Sequence, residues 1–310
     1  MENGEIGISI ITCSINPESC GQMLESVKNT IGINYETIVF NNLEKGFGIC
    51  QVYNYCAAKA IYPYLCFIHE DIIMSTQNWG KEMVDFAEKI KNCGVIGFAG
   101  GTTANKNFIG WNHGPKGRFR YYDSDTMGKI NKIEELSFKY NNPENKKYAE
   151  VVTLDGLFLF VSREIWKKIP FDEERIKGFH FYDADFTFSI SLKHQNFVCL
   201  TVDVYHFSGG NRTIAYYKNA LIFQKKWKNE LPIIIGEQKI SFREEMHDAR
   251  HLFFHMIRNG IKLKVCVEHI IEINGYIFFI IFIVLIPIIA SKKKIIKCAA
   301  FIKNCIKKRK

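Results

Sequence analysis

The chain of 310 residues is long enough for one large α/β domain with a substantial core plus an appendage, and its formal net charge is +9. Residues 291–310 hold nine of the 41 basic residues and no acidic one, so residues 1–290 carry 32 charges of each sign. A neutral body argues against a polyanion-binding groove, and a tail with Phe301 as its one aromatic residue suits RNA poorly, so we expect no nucleic-acid partner.

Three apolar, β-branched runs of strand length open the chain: Ile6–Cys13, Tyr35–Phe40 and Tyr64–Ile68. Helix-length intervals separate them, which predicts right-handed βαβ crossovers and a mostly parallel sheet. Ligands bind at the carboxyl ends of such strands. The polar segments that follow the three strands, residues 12–16, 41–42 and 69–71, are therefore expected to meet in one crevice.

The pattern changes after residue 71. Residues 102–149 are rich in Gly, Asn, Lys and Tyr with little periodicity, which predicts a long loop region. The elements predicted beyond it are an apolar run over Val151–Val161, a helix from Ser162, a helix over Phe186–Lys193, and a strand over Asn196–Tyr205 that ends at His206.

The tripeptide His69-Glu70-Asp71 follows a hydrophobic strand. Several metal-capable side chains within one turn can bridge a divalent cation to a diphosphate, because hard oxygen ligands suit Mg²⁺ or Mn²⁺ and the phosphates supply further oxygens. The alternative is that these residues are solvated or cap a helix.

Two further groups support a reactive site. Asp183 and Asp185 stand two apart at a predicted helix start, where they act either as cap and dipole partners or as a general base with an orienting neighbour. His206 follows a strand and precedes a glycine pair, and is either a packing residue or a ligand.

The motifs, in chain order, are Thr12-Cys13-Ser14, Asn41-Asn42, Gly46-x-Gly48, Asn54 with Ala57, His69-Glu70-Asp71, Asp155-Gly156, Tyr182-Asp183-Ala184-Asp185 and Tyr205-His206-Phe207-Ser208-Gly209-Gly210. This order resembles the GT-A-fold glycosyltransferases of family 2, in particular a streptomycin-biosynthesis-related branch with His-x-Asp in place of Asp-x-Asp. The resemblance spans residues 6–225. It implies a Rossmann-like α/β domain and a nucleotide-sugar donor, with a UDP-sugar expected.

The resemblance also assigns roles, residue by residue. On the donor side, the nucleotide-binding positions are Thr12, Ser14, Asn16, Asn41 and Asn54, and the metal motif is His69 with Asp71, completed by His206. On the acceptor side, Asp155 and Gly156 lie beneath the sugar, Asp183 is the base and Asp185 its neighbour. The implied cofactor is Mn²⁺ or Mg²⁺, and the implied reaction is an inverting displacement in which Asp183 deprotonates an acceptor hydroxyl.

Two positions depart from the family pattern. His69 replaces the first Asp of the metal motif, and Tyr182 stands where an acidic residue usually precedes the base. A less negative site leaves a non-catalytic, membrane-associated protein that binds nucleotide sugars or glycans as the alternative. A nucleotidyltransferase is the other alternative, but the segment after the first strand lacks its glycine-rich, basic signature.

The C-terminal segment is apolar and then basic. Residues 276–290 would reach about 22 Å as a helix at ~1.5 Å per residue, short of a hydrocarbon core of about 30 Å. We therefore expect residues 270–310 to form a monotopic anchor whose lysines contact anionic lipid headgroups, which fits a glycan or lipid-linked acceptor in cell-surface polysaccharide or glycolipid synthesis. A buried core helix with a solvated tail is the alternative.

The sequence also predicts the cellular compartment and the domain boundaries. The acidic N-terminus fails the requirements of a signal peptide, and the ten cysteines form no Cys-x-x-Cys pair, which favours free thiols in a reducing compartment. The expected location is the cytoplasmic face of the cell membrane. The expected domains are a catalytic domain over 1–225, a helical connector over 226–269, and the membrane-associated segment over 270–310.

Overall fold

The computed structural model of the protein describes residues 5–111, 116–123, 133–207, 212–237 and 239–285. The chain divides into two compact units, residues 1–239 and 240–310. The predicted boundary at 225/226 falls at the end of the helix Ile214–Lys226, and the boundary at 269/270 falls inside the helix Leu263–Asn274.

Within the described ranges, the first unit is built on a seven-stranded sheet. Numbered along the chain, its strands lie side by side in the order β10 (Tyr148–Val151), β13 (Gln195–Cys199), β5 (Cys93–Gly97), β12 (Phe158–Ser162), β3 (Tyr64–Ile68), β1 (Gly7–Ser14) and β2 (Asn34–Asn41). The three predicted N-terminal strands are therefore confirmed, each within one residue at either end.

The α/β class is confirmed, and the sheet is mixed: three of its six pairings are parallel, so the prediction of a mostly parallel sheet holds only in part. β1 runs parallel to β2 and β3, and β13 runs parallel to β5. By contrast, β12 is antiparallel to both β3 and β5, and β10 is antiparallel to β13. A parallel neighbour requires a crossover connection, usually a helix, whereas the chain between β5 and β12 passes through short strands and enters β12 from the opposite end.

A second sheet is formed by other strands, most of which come between strands of the first sheet in the sequence. Its order is β11 (Thr153–Leu154), β6 (Ala99–Gly101), β8 (Gly117–Asp123), β14 (Val204–His206) and β4 (Ile72–Met74), with β9 (Ser137–Asn141) beside β8. A third pairing joins β15 (Ile233–Ile234) to β7 (Thr103–Ala104). The predicted loop over 102–149 thus contains strands, and the aromatic-rich composition of β8 and β9 was the overlooked signal.

The helices of the described part of the first unit are α1 (Pro17–Thr30), α2 (Ile49–Ala57), α3 (Trp79–Lys89), α4 (Arg163–Lys168), α5 (Tyr182–Ser191) and α6 (Ile214–Lys226). Asn16 starts α1, because its side-chain oxygen accepts hydrogen bonds from the backbone N–H groups of Glu18 and Ser19. Asp183 and Asp185 lie inside the first turn of α5, and the predicted strand 196–205 is two strands, β13 and β14.

The hydrophobic core fills both faces of the seven-stranded sheet. Successive residues of β1 point to opposite faces, so Ile11 joins the cluster that contains Phe186 of α5, and Ile10 joins the cluster that contains Trp79 of α3. The eight cysteines within the described ranges are free, as predicted. Helices on both faces leave the ends of the strands as the accessible edge of the sheet.

The second unit contains α7 (Phe242–Arg258), α8 (Leu263–Asn274) and α9 (Tyr276–Leu285) among its described residues. Ser241 and Glu244 form a reciprocal capping box at the start of α7. In the part of the chain that the structure describes, no helix combines the length and the apolar character needed to cross a bilayer. Residues 286–310, which carry the basic tail, lie outside the described residues, so the membrane anchor stays a prediction.

Candidate active site

The end of β3 and the end of β14 meet at one place. His69, Glu70 and Asp71 connect β3 to β4, and the antiparallel pairing of β4 with β14 sets His206 opposite Ile72. The Phe207 backbone N–H donates to the Asp71 carbonyl oxygen at 2.9 Å. Sheet register therefore brings together the metal motif and the late histidine, which are far apart in the sequence.

Three side chains there are placed to share a cation. Ligand atoms of His69, Asp71 and His206 all lie within 4.8 Å of one another. His69 Nδ1 and His206 Nε2 each lie 3.8 Å from Asp71 Oδ1. That oxygen is buried and has no hydrogen-bond partner among the described residues. A buried carboxylate oxygen without a partner is costly, and a divalent cation would satisfy it, so the donor set fits a metal.

Each histidine also contacts a residue outside this group of three. His69 Nε2 lies 2.6 Å from the Tyr182 hydroxyl, and His206 Nδ1 lies 3.1 Å from Asp123 Oδ1. Asp123 stands beside His206 because β8 and β14 run parallel, with Tyr122 opposite Tyr205. Asp123 was not identified from the sequence, since it lies in the segment predicted to be a loop.

The two imidazoles have different proton affinities. Burial lowers the pKa of His69, which favours the neutral imidazole that binds metals. Burial also opposes protonation of His206, but its hydrogen bond to Asp123 and the nearby charges of Asp71 and Asp123 outweigh this and raise the pKa. A cation that binds here therefore competes with a proton on His206.

The segment before β12 lies beside the metal motif because β12 is antiparallel to β3. The His69 backbone N–H donates to the Leu157 carbonyl oxygen at 3.0 Å. Gly156 is held from both sides: its N–H donates to Asp183 Oδ2 at 2.9 Å, and its carbonyl accepts from the Tyr182 hydroxyl at 3.0 Å. A Cβ atom at Gly156 would lie 2.0 Å from the Tyr182 oxygen, so the position requires glycine.

Asp183 is a half-buried carboxyl with a strongly altered acidity. Burial, and then the charge of Asp155, raise its pKa to about 7. Asp155 is itself fixed, because the Trp111 indole N–H donates to its Oδ2 at 2.6 Å and the Leu157 N–H donates to its Oδ1 at 3.0 Å. A carboxyl whose pKa is close to neutral pH is suited to act as a general base.

The loop after β1 is tied to the metal motif by Glu70. The Glu70 carboxylate accepts from the Ser14 hydroxyl at 2.6 Å and from the backbone N–H groups of Ile15 and Asn16. Thr12 is buried in β1, at 1% exposure. In the sequence Glu70 is only the middle residue of the metal motif; in the structure it links the predicted nucleotide loop to that motif.

Three predicted site residues make their hydrogen bonds outside the cluster of His69, Asp71 and His206. Asn41 is exposed, and its side-chain oxygen accepts from the Leu43 N–H. The Asn54 amide bonds the backbone N–H and carbonyl of Phe171. The buried Asp185 carboxylate bonds the Lys226 ammonium and the Trp227 indole, each at 2.8 Å. The structure thus brings Asp155, Gly156 and Asp183 close to the metal motif and commits Asn54 and Asp185 to structural contacts.

Solved structures of several proteins resemble the chain at low identity. S. aureus TarS 1-349 in complex with UDP is 15% identical with a TM-score of 0.49, covering 89% of this chain and 81% of that chain. The mannosyltransferase PcManGT from Pyrobaculum calidifontis, solved with GDP-Man and Mn²⁺, is 8% identical with a TM-score of 0.45, covering 94% and 83%. GalNAc-T7, solved with UDP, GalNAc and Mn²⁺, is 11% identical with a TM-score of 0.47, covering 88% and 57%. Similarity at this level assigns no substrate to the chain.

The family comparison is stronger. No curated protein matches the chain significantly. The profile described as "Glycosyltransferase like family" matches residues 9–227, which is more than half of the chain and includes every candidate site residue from Thr12 to His206. This confirms the glycosyltransferase prediction at the family level, while the streptomycin-related branch stays a prediction. The chain therefore belongs to this glycosyltransferase-like family.

Proposed function

We propose that the protein transfers a sugar from a nucleotide-sugar donor to an acceptor hydroxyl with inversion at the anomeric carbon. One observation carries the proposal. Asp183, a half-buried carboxyl with a pKa of about 7, accepts from the N–H of Gly156, and the carbonyl of the same glycine accepts from the Tyr182 hydroxyl that contacts His69. A base and a metal-competent cluster are thus fixed to one short backbone segment.

The donor side is built from the metal motif and the first loop. His69, Asp71 and His206 would hold a divalent cation, Mn²⁺ or Mg²⁺, which would supply positive charge for the departing diphosphate. Ser14 and the loop N–H groups are held by Glu70 beside that motif, which supports a nucleotide site there. The resemblance to family 2 favours a UDP-sugar as donor.

The acceptor side depends on Asp183. The acceptor oxygen attacks the anomeric carbon as the bond from that carbon to the phosphate oxygen breaks. The hydroxyl proton passes to the Asp183 carboxylate, and the bonding electrons leave with the nucleoside diphosphate. Burial and the charge of Asp155 raise the proton affinity of Asp183.

The C-terminal segment supports a proposal about the cellular setting. The amphipathic helix α8 and the apolar helix α9 precede the basic tail, and this combination supports a monotopic anchor formed by residues 270–310. We propose a glycan or lipid-linked acceptor at the cytoplasmic face of the cell membrane, used for cell-surface polysaccharide or glycolipid synthesis. Removal of residues 270–310 should release the protein from membranes, and a truncated protein that still sediments with them contradicts the anchor.

The decisive experiment is hydrolysis of a panel of nucleotide sugars by the purified protein with Mn²⁺, with Mg²⁺ and with a chelator. We expect metal-dependent release of one nucleoside diphosphate. Asp71→Ala should abolish it, whereas Asp85→Ala, which removes an exposed carboxylate paired with Lys81, should not. Binding of a nucleotide sugar without turnover, even with acceptor glycans present, would favour the non-catalytic alternative. Absence of both binding and turnover would refute the proposal.

A further inference from the structure

His206 has a partner that determines which of its nitrogens carries the proton. The Asp123 carboxylate accepts hydrogen bonds and does not donate them, so His206 Nδ1, at 3.1 Å from Asp123 Oδ1, carries the hydrogen. In the neutral imidazole the lone pair is then on Nε2. That atom faces Asp71 Oδ1 at 3.8 Å.

The Tyr182 hydroxyl determines the opposite tautomer at His69. Its single hydrogen is donated to the Gly156 carbonyl oxygen at 3.0 Å. With the hydroxyl hydrogen assigned to Gly156, the hydroxyl oxygen, at 2.6 Å from His69 Nε2, is left to accept a hydrogen from that nitrogen. The lone pair of His69 is then on Nδ1, which also faces Asp71 Oδ1 at 3.8 Å.

The spacing of the three atoms suits ligation rather than hydrogen bonding. A separation of 3.8 Å is too long for a hydrogen bond. Nitrogen and oxygen ligands at about 2.1 Å from a common ion lie about 3 to 4 Å from each other. The side chains keep between 14% and 31% of their surface exposed, so an ion held by them would retain positions for substrate oxygens.

We propose that Tyr182 and Asp123 are positioning residues that fix His69 and His206 in complementary tautomers, and that the resulting site of two imidazole nitrogens and one carboxylate selects transition-metal cations over Mg²⁺. Imidazole nitrogens favour first-row transition metals, with affinity rising from Mn²⁺ to Co²⁺, whereas Mg²⁺ requires oxygen ligands and retains water. The inference rests on the proposed function in one respect, that the cation bound here is the one used with the donor. His69, the departure from Asp-x-Asp, is the residue that changes the preference.

Metal selectivity is tested by titrating the full chain with Co²⁺, Mn²⁺ and Mg²⁺ in the absence of nucleotide, by calorimetry and by the visible absorption of Co²⁺. We expect Co²⁺ and Mn²⁺ to bind at least tenfold more tightly than Mg²⁺. His69→Asp, which restores an oxygen ligand, should reduce the Mn²⁺ to Mg²⁺ preference severalfold and alter the Co²⁺ spectrum. Equal affinity for Mn²⁺ and Mg²⁺ in the unaltered protein, no binding of any cation, or a preference unchanged by His69→Asp would overturn the proposal.

The tautomers are tested separately, by long-range ¹H–¹⁵N correlation of the histidine rings in the metal-free protein. His69 should be observed with its hydrogen on Nε2 and His206 with its hydrogen on Nδ1 in the neutral state. Tyr182→Phe should change the His69 pattern, Asp123→Ala should change the His206 pattern, and each should weaken Co²⁺ binding by about ten- to a hundredfold.

The control for these variants is Tyr55→Phe. Tyr55 is an exposed tyrosine of α2 whose hydroxyl accepts from the Lys59 ammonium, and its variant should leave both tautomers and the Co²⁺ affinity unchanged. Folding of each variant is verified by thermal unfolding. If folded Tyr182→Phe and Asp123→Ala bind Co²⁺ as tightly as the unaltered protein, the positioning roles are wrong.

The metal preference and the transferase function fail in different ways. A protein that prefers Co²⁺ and Mn²⁺ but neither binds nor hydrolyses nucleotide sugars would uphold the selectivity and refute the transferase. A protein that hydrolyses a nucleotide sugar and binds Mg²⁺ as well as Mn²⁺ would uphold the transferase and refute the selectivity.

Discussion

Replacement of Asp183 by asparagine separates the proposed base from the structure around it. The asparagine side-chain oxygen can still accept the hydrogen bond that Gly156 N–H donates to Asp183 Oδ2 at 2.9 Å. The variant therefore preserves the shape of the site but cannot take a proton. Loss of a general base typically reduces the rate of the chemical step by about 10²- to 10⁴-fold, and we expect a loss of that size in kcat for transfer.

The same substitution should stabilise the protein above neutral pH. Burial raises the Asp183 pKa from 3.8 to about 7, and each pKa unit corresponds to about 1.36 kcal/mol, so ionised Asp183 destabilises the fold by on the order of 4 kcal/mol. Because the pKa is raised on folding, the folded state binds the proton more tightly between pH 3.8 and 7. Stability therefore falls as pH rises through this window, and asparagine, which does not titrate, removes that dependence.

The assay pairs transfer kinetics with denaturant unfolding between pH 5 and pH 9. For the unaltered protein, kcat/KM should rise with pH toward a plateau above about pH 7, as Asp183 loses its proton. Asp183→Asn should be at least a hundredfold slower at every pH and more stable than the unaltered protein at pH 8. Transfer at more than a tenth of the normal rate would show that Asp183 is not the base. A loss of stability at pH 8 would show that its ionised form is not destabilising.

Three other substitutions test the supports of the site. Gly156→Ala places a Cβ atom 2.0 Å from the Tyr182 oxygen, so we expect the free energy of unfolding to fall by about 1–3 kcal/mol and the activity to fall at least tenfold. Melting temperature and turnover measure these effects, and unchanged values would contradict the close contact. Glu70→Gln removes the charge that holds the loop after β1. Because hydrogen bonds to charged groups contribute about 1.5–3 kcal/mol, nucleotide affinity measured by calorimetry should fall about ten- to a hundredfold. Normal affinity would show that the nucleotide binds elsewhere. Lys226→Met leaves the buried Asp185 carboxylate without its cation, so the free energy of unfolding at pH 7 should fall by about 3–5 kcal/mol, and a stable variant would show that this ion pair is dispensable.

Several features of the fold were predictable because their signals are local. The apolar runs over β1, β2 and β3 are continuous in the sequence, and each ends at a polar segment. Periodicity and composition over such short windows reflect burial directly. Strands β8 and β9 were missed because neither contains an apolar run. Most side chains of β8 are half-buried, and β9 alternates half-buried residues with exposed aromatic ones.

Part of the candidate site was also predictable. His69, Asp71, Asp183 and His206 stand at ends of elements that the sequence locates, and the structure places the two histidines around Asp71. Asp185 was assigned as a neighbour of the base only because it is two residues away, whereas α5 turns its carboxylate toward Lys226. Residues two apart on a helix do not face the same side.

The sequence by itself determined the first three strands, the polar segments at their ends, and the family. Only the tertiary structure decided the antiparallel entry of β12, the pairing of β4 with β14, and the hydrogen bonds from Tyr182, Asp123 and Glu70 that connect the site. The physical reason is the distance along the sequence over which each interaction acts. Hydrophobic periodicity is set by residues a few positions apart, whereas strand register and the partners of buried polar groups are set by packing between segments that are distant in the sequence.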